Sequence, residues 1–151
     1  MDLPNTIAEA GAAMREGRLT SKALTEGVLA RADELDSKLG VYITRMDETA
    51  LIAAEAADAD FTKGIDRGPL QGIPLGIKDI LSTDDAPTTA QSLVLEPEWG
   101  EQGDGPVMAR LRAAGAVIVG KTTTMEFACG QPDSEKPFPI PRNPWNTEYW
   151  T

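Results

Sequence analysis

Gly68-Pro69-Leu70-Gln71-Gly72-Ile73-Pro74-Leu75-Gly76-Ile77-Lys78-Asp79 is the stretch on which the fold turns. Its glycines and prolines first punctuate a loop. From Ile73 the pattern becomes an apolar run closing on the charged Lys78, which reads as a buried strand. Downstream, Ala116-Val117-Ile118-Val119 is the clearest strand in the chain. Residues 82–105 lie between them, rich in Asp, Pro, Thr and Gly, and a loop that long in a compact protein is functional or a cover. A helix follows, with Asp104 as its cap, Pro106 near its first position, Val107, Met108, Leu111 and Ala114 as its apolar stripe and Gly115 as its stop. Strand, loop and helix, then strand predicts a right-handed crossover between parallel strands.

Upstream the chain reads as helical. Residues 6–16 form a short helix stopped by Gly17, and a second starts at Thr20 or Ser21 and ends at Gly40. Leu24, Val28, Leu29, Ala32, Leu35 and Leu39 recur along it at helical spacing. Residues 41–45 suit a strand, and the alanine-rich residues 47–60 a helix with an acidic first turn. Residues 122–128 suit a short helix, and from Gln131 onward the chain is proline-rich and irregular, ending in Trp145, Tyr149 and Trp150. The expected class is α/β, with a helical region at 1–62 and the first part of an α/β core at 63–151. So few strands leave a parallel sheet short of cover, and the domain reads as incomplete, with apolar surface at 73–77 and 117–119 expected to stay wet.

Composition narrows the function. Of 151 residues, 24 are acidic and 14 basic, a net charge of -10 that repels nucleic-acid phosphates. No apolar run approaches the length of a membrane span, and the N-terminus has no signal-peptide pattern, so a cytoplasmic setting is the default expectation. A single cysteine, Cys129, and no histidine exclude a disulfide framework, a Ser-His-Asp triad and the usual zinc sites. Asp79, Asp84 and Asp85 have no spacing of a metal site, and Cys129 lacks a histidine to activate it and reads as a small, partly buried residue. No cofactor or metal is expected.

Two lysines stand out. Gly115 to Thr122 matches the phosphate-loop expression, but its intervening Ala, Val, Ile and Val form the strand itself, where that motif needs a flexible turn. Lys78 closes an apolar strand, at the end where α/β sheets place their sites. A lysine serves as a general base only when its amine is neutral, which requires burial, and Ile73, Leu75, Ile77, Ile80 and Leu81 supply an apolar setting in sequence. The competing reading is a lysine that snorkels to water. Lys121 ends the other strand, and spacing alone does not choose between the two.

The stretch at 68–79 is similar to the segment that carries the catalytic lysine in the amidase signature family. Residues 107–130 resemble the family's next block, and Pro141-Arg142-Asn143-Pro144-Trp145 resembles the stretch before its glycine- and serine-rich signature. The resemblance implies a serine-dependent hydrolase of amides, with esters and carbamates (urethanes) also within reach of the chemistry. Its triad is a lysine, a serine in a cis peptide and a nucleophilic serine. Lys78 matches the lysine, and Ala128, Cys129 and Gly130 match positions that line the acyl pocket. Both serines and the oxyanion hole would lie after Thr151, so the chain by itself is expected to be inactive. Its expected partners are the remainder of its own protein, a small-molecule substrate and, in a homodimer, a second copy. Gln131-Pro132-Asp133 replaces the serine- and asparagine-containing run of the tRNA-dependent amidotransferase counterpart, its A subunit, which is the main alternative. A non-catalytic interaction fragment is the other.

Overall fold

The computed structural model describes residues 3–100 and 103–151. Among the described residues four α-helices, α1 (Ile7–Arg15), α2 (Ser21–Leu39), α3 (Asp47–Thr62) and α4 (Pro106–Ala113), surround three strands, β1 (Tyr42–Arg45), β2 (Pro74–Lys78) and β3 (Val117–Thr122). The sheet order is β1-β3-β2, with β2 and β3 parallel and β1 antiparallel to β3. This is the expected mixed α/β class. The helical region at the N-terminus contributes β1 to the same sheet.

Local chemistry sets the helix ends. Thr6 and Glu9 form a reciprocal capping box on α1. Thr20 accepts the Ala23 N–H at the start of α2, and Gly40 ends that helix in the left-handed region at φ 59°. Two expectations fail. Asp104 does not cap α4; Gly105 holds the cap position without a side-chain bond. Residues 122–128 do not form a helix beyond a 3-10 turn at Glu126–Ala128, where Phe127 at φ 50° departs from helical geometry.

Three apolar clusters cover the strands. Val117 and Val119 pack with Leu29, Ala50 and Ala54 under α2 and α3. Ile77 and Ile118 pack on the other face with Met46, Ala86, Met108 and Ala116. Ile73 joins Ala10, Met14 and Leu24 against α1 and α2. The expectation that 73–77 and 117–119 would stay wet is corrected for Ile73, Ile77 and residues 117–119, which the helices and the 81–90 segment bury; on β2, Pro74 and Leu75 are half-buried and Gly76 is exposed. Exposed apolar surface lies elsewhere, at Leu93, Val94, Trp145 and Tyr149.

Asp104 has another use. Its carboxylate accepts from the Asp84 N–H at 3.0 Å and from Arg112 Nε at 2.7 Å, while the same guanidinium reaches Asp85 at 2.5 Å and the Thr83 hydroxyl at 2.9 Å. Arg112 thus clamps both ends of the long 82–105 segment to α4. Burial pushes the Asp104 carboxyl up, but the bonds from Asp84, Thr83 and Arg112 outweigh it and hold the group below the usual carboxylate range.

A carboxylate depressed on folding contributes stability above its unfolded pKa that is lost as pH falls through the folded value. Unfolding of the chain followed against pH should therefore show an acid-side loss of stability on the low side of the normal carboxylate range. Arg112→Met should weaken that dependence; an unchanged acid limb would show that the clamp contributes nothing.

Candidate functional site

The two lysines end on opposite faces of the sheet, and a bulge is the reason. Leu75 pairs with Ile118 but Gly76 pairs with Gly120, so Val119 is an extra residue on β3. Beyond it, Ile77 pairs with Lys121 and Lys78 with Thr122. Alternation then puts Lys121 on the Ile77 face, under α4, and Lys78 on the Thr122 face. The phosphate-loop expression dissolves in the same geometry, since Gly120 and Lys121 lie inside β3.

Lys121 and Asp79 are both 0% exposed and pair at 2.9 Å between Nζ and Oδ1. Oδ1 has no well-aligned hydrogen bond besides this charge contact. Lys121 Nζ also donates to the Thr88 hydroxyl at 2.7 Å, and Asp79 Oδ2 accepts from the Thr89 hydroxyl and N–H at 2.5 and 3.1 Å. Two buried charges are costly to desolvate, and this compact set of partners offsets that cost. Asp79 is consequently an ion-pair partner, while Asp84 and Asp85 belong to the surface around Arg112.

Lys78 is exposed, so the expected burial is not found. The apolar neighbours it has in sequence do not enclose it: Ile77 faces the opposite side, Ile73 packs against α1 and α2, and Ile80 is itself exposed. Lys78 lines a groove of about 370 Å³ with Leu39, Val41, Thr122, Thr124, Met125 and Arg142. The C-terminal segment closes one side, tied by the Arg142 N–H to Leu39 O at 2.8 Å. Thr124 contributes a buried hydroxyl with no hydrogen-bond partner among the described residues.

Ala128, Cys129 and Gly130 do not join Lys78 in that groove. Cys129 and Gly130 line a separate hollow of about 160 Å³ with Gln91, Glu126, Pro132 and Lys136, and Ala128 lies beside it in a left-handed conformation at φ 61°. Met125 lines both hollows. Cys129 is exposed, in place of the partial burial expected. Salt bridging from Lys136, then the Ser92 hydroxyl, holds the Glu126 carboxyl below its usual range at the rim of this hollow.

Sequence reasoning missed the Asp79–Lys121 pair, Thr88, Thr89 and Thr124. The visible signal was a lysine in register with an apolar strand and an aspartate next to the other lysine, and the glycines at 76 and 120 inside the two strands were the sign of the bulge that brings them together.

The amidase family model matches residues 23–151. A putative amidase, AmiD, of Mycobacterium tuberculosis (strain ATCC 25618 / H37Rv) is 43% identical over 145 residues, covering 95% of this chain and 30% of that protein. The A subunit of the glutamyl-tRNA(Gln) amidotransferase of Roseiflexus sp. (strain RS-1) is 42% identical over 143 residues, covering 95% and 29%. The native peptide amidase of Stenotrophomonas maltophilia superposes with a TM-score of 0.79 at 32% identity, over 95% of this chain and 30% of that one. The chain thus spans about 30% of the length of the curated relatives it matches.

The burial contrast between the lysines has a direct consequence. Lys121→Ala strands Asp79 without a counter-charge and should cost about 3–5 kcal/mol of folding stability. Lys78→Ala should change it by less than about 0.5 kcal/mol. Denaturant unfolding of both variants measures the difference, and losses of equal size would contradict this assignment.

Proposed function

The chain belongs to the amidase family, and we propose that it supplies the general base, Lys78, of a hydrolase that cleaves amide bonds by acyl transfer. One observation supports Lys78 over Lys121: its amine opens into a groove that a reacting group can enter, whereas Lys121 is sealed against Asp79. In the mechanism implied by the family resemblance, Lys78 accepts a proton relayed through one serine as a second serine attacks the carbonyl. It then returns the proton to the leaving amine, and water clears the acyl-enzyme. Both serines and the oxyanion donors belong to sequence beyond this segment, which makes that sequence the segment's first partner. A neutral amine requires desolvation, so the groove over Lys78 must be covered in the working enzyme.

Small-molecule amides are the proposed substrates, and the same chemistry extends to esters and carbamates. The second hollow, with Cys129 and Gly130 on its wall and Ala128 beside it, is the proposed acyl side of the site. Near-equal identity to the amidotransferase relative favours one alternative, glutamine hydrolysis within a complex. Co-purification with other components of such a complex separates the two.

In the hydrolase that contains this segment, Lys78→Ala should lower turnover by several orders of magnitude while leaving folding nearly intact. Near-normal hydrolysis by that variant would show the wrong lysine had been assigned.

Cys129→Phe should shift the preference among acyl groups more than it shifts stability, because the residue is exposed and edges the hollow. Competition between short and long acyl amides measures this; an unchanged ratio places the acyl pocket elsewhere.

A further inference from the structure

We propose that the buried Asp79–Lys121 ion pair positions both parts of the site, fixing Lys78 on one side and the 124–130 loop on the other; this rests on the hydrolase reading above. Asp79 follows Lys78 directly. Its N–H donates to Thr122 O at 3.0 Å, which extends the ladder one residue past β2. Its carboxylate is anchored on the opposite face by Lys121 and Thr89. Anchoring residue 79 to one face leaves the preceding side chain, Lys78, directed to the other.

The same pair reaches the second hollow. Lys121 holds Thr88, and Asp79 holds Thr89 through its carboxylate and Ala90 through its carbonyl, at 2.9 Å from the Ala90 N–H. Ala90 and Gln91 are thereby kept at φ 50° and 51°, a region that residues with a Cβ seldom occupy. From there three bonds run to the site loop. Ala90 O accepts the Phe127 N–H at 3.0 Å, Gln91 Oε1 accepts the Thr124 N–H at 2.8 Å, and the Ser92 hydroxyl donates to Glu126 at 2.9 Å. Phe127 and Ala128 are themselves left-handed, at φ 50° and 61°, so the approach to Cys129 is a strained turn held from the 88–92 segment.

Stability alone does not account for two charges here. The surrounding face is apolar, with Ile77, Ala86, Met108 and Ile118, and a buried ion pair in such a place is often no more stabilising than a well-packed apolar pair. What the pair adds is direction, since a carboxylate and an ammonium fix threonine hydroxyls and backbone amides that aliphatic side chains cannot hold. Asp79 and Lys121 are accordingly positioning residues.

The test compares Asp79→Leu, Lys121→Met and the double variant. Each single variant leaves a stranded charge and should unfold at lower denaturant. The double variant should recover most of that stability, yet the amides of Ala90, Thr124 and Phe127 should exchange about tenfold faster or more, while those of α2 and α3 keep their protection. In the hydrolase, it should lose about tenfold or more in kcat with KM changed by less than about threefold. Thr89→Val leaves both charges paired and should loosen Ala90 and Phe127 and, because Thr89 Oγ1 also accepts the Gln91 N–H, Thr124; it decides the matter if the double variant does not fold. Wild-type exchange at these amides in a stable double variant, or in Thr89→Val should that be the variant that folds, overturns the proposal. The exchange measurement does not depend on catalysis, so full activity in Lys78→Ala would show that the wrong lysine had been assigned as base while leaving this result to stand or fall by itself.

Discussion

A lysine and an aspartate buried together at 2.9 Å set the terms for the rest of the molecule. Neither can exist there alone, because an uncompensated charge in that setting would cost several kcal/mol. The strand ends of β2 and β3 must therefore stay in one register, and the 88–92 segment must lie over them to supply its hydroxyls. The long segment that precedes α4 is in this sense a cover with an electrostatic fastening. Arg112 fastens both of its ends to α4 through Asp85 and Asp104.

The pair in turn depends on the bulge at Val119. Without the extra residue, the register of Leu75 with Ile118 would carry forward to place Lys78 beside Lys121 on one face, two like charges in cross-strand contact. The bulge separates them. Two glycines give it room: a Cβ at Gly120 would lie 2.6 Å from Thr44 O and 2.8 Å from the Tyr42 ring, and one at Gly76 would lie 2.8 Å from the Thr122 methyl. The glycines in Leu75-Gly76-Ile77 and Val119-Gly120-Lys121 are thus where strands approach closely around an irregularity.

Much of the fold was legible because its signals are local. Thr6, Thr20 and Gly40 announce helix ends through side-chain caps and a left-handed residue, and the structure places the ends within a residue of the expected positions. The apolar runs at 73–78 and 116–119 give β2 and β3. What could not be read are the features that depend on tertiary partners. Asp104 looks like a cap in sequence and serves Arg112 across the fold. Residues 122–128 look helical by composition but are drawn into a strained turn by Ala90 and Gln91. The environment of Lys78 failed for the same reason: Leu75 and Ile77 alternate with Lys78 along the strand and share the opposite face, so nearness in sequence enclosed it only on paper.

The exposure of Lys78 and the burial of Lys121 bear on chemistry in opposite ways. A sealed ammonium, held by a carboxylate and a hydroxyl, has no path to a substrate proton and no free lone pair to accept one. An amine on a groove wall has the path but lacks the dry setting that favours its neutral form. Under the proposed role of Lys78, catalysis requires an event that covers the groove without filling the space next to the amine. The wall offers such a cover Thr122, Met125 and the proline-rich strip at 141–144. Met125 stands between this groove and the hollow at Cys129, so one segment laid across it would touch the proposed base and the proposed acyl pocket together.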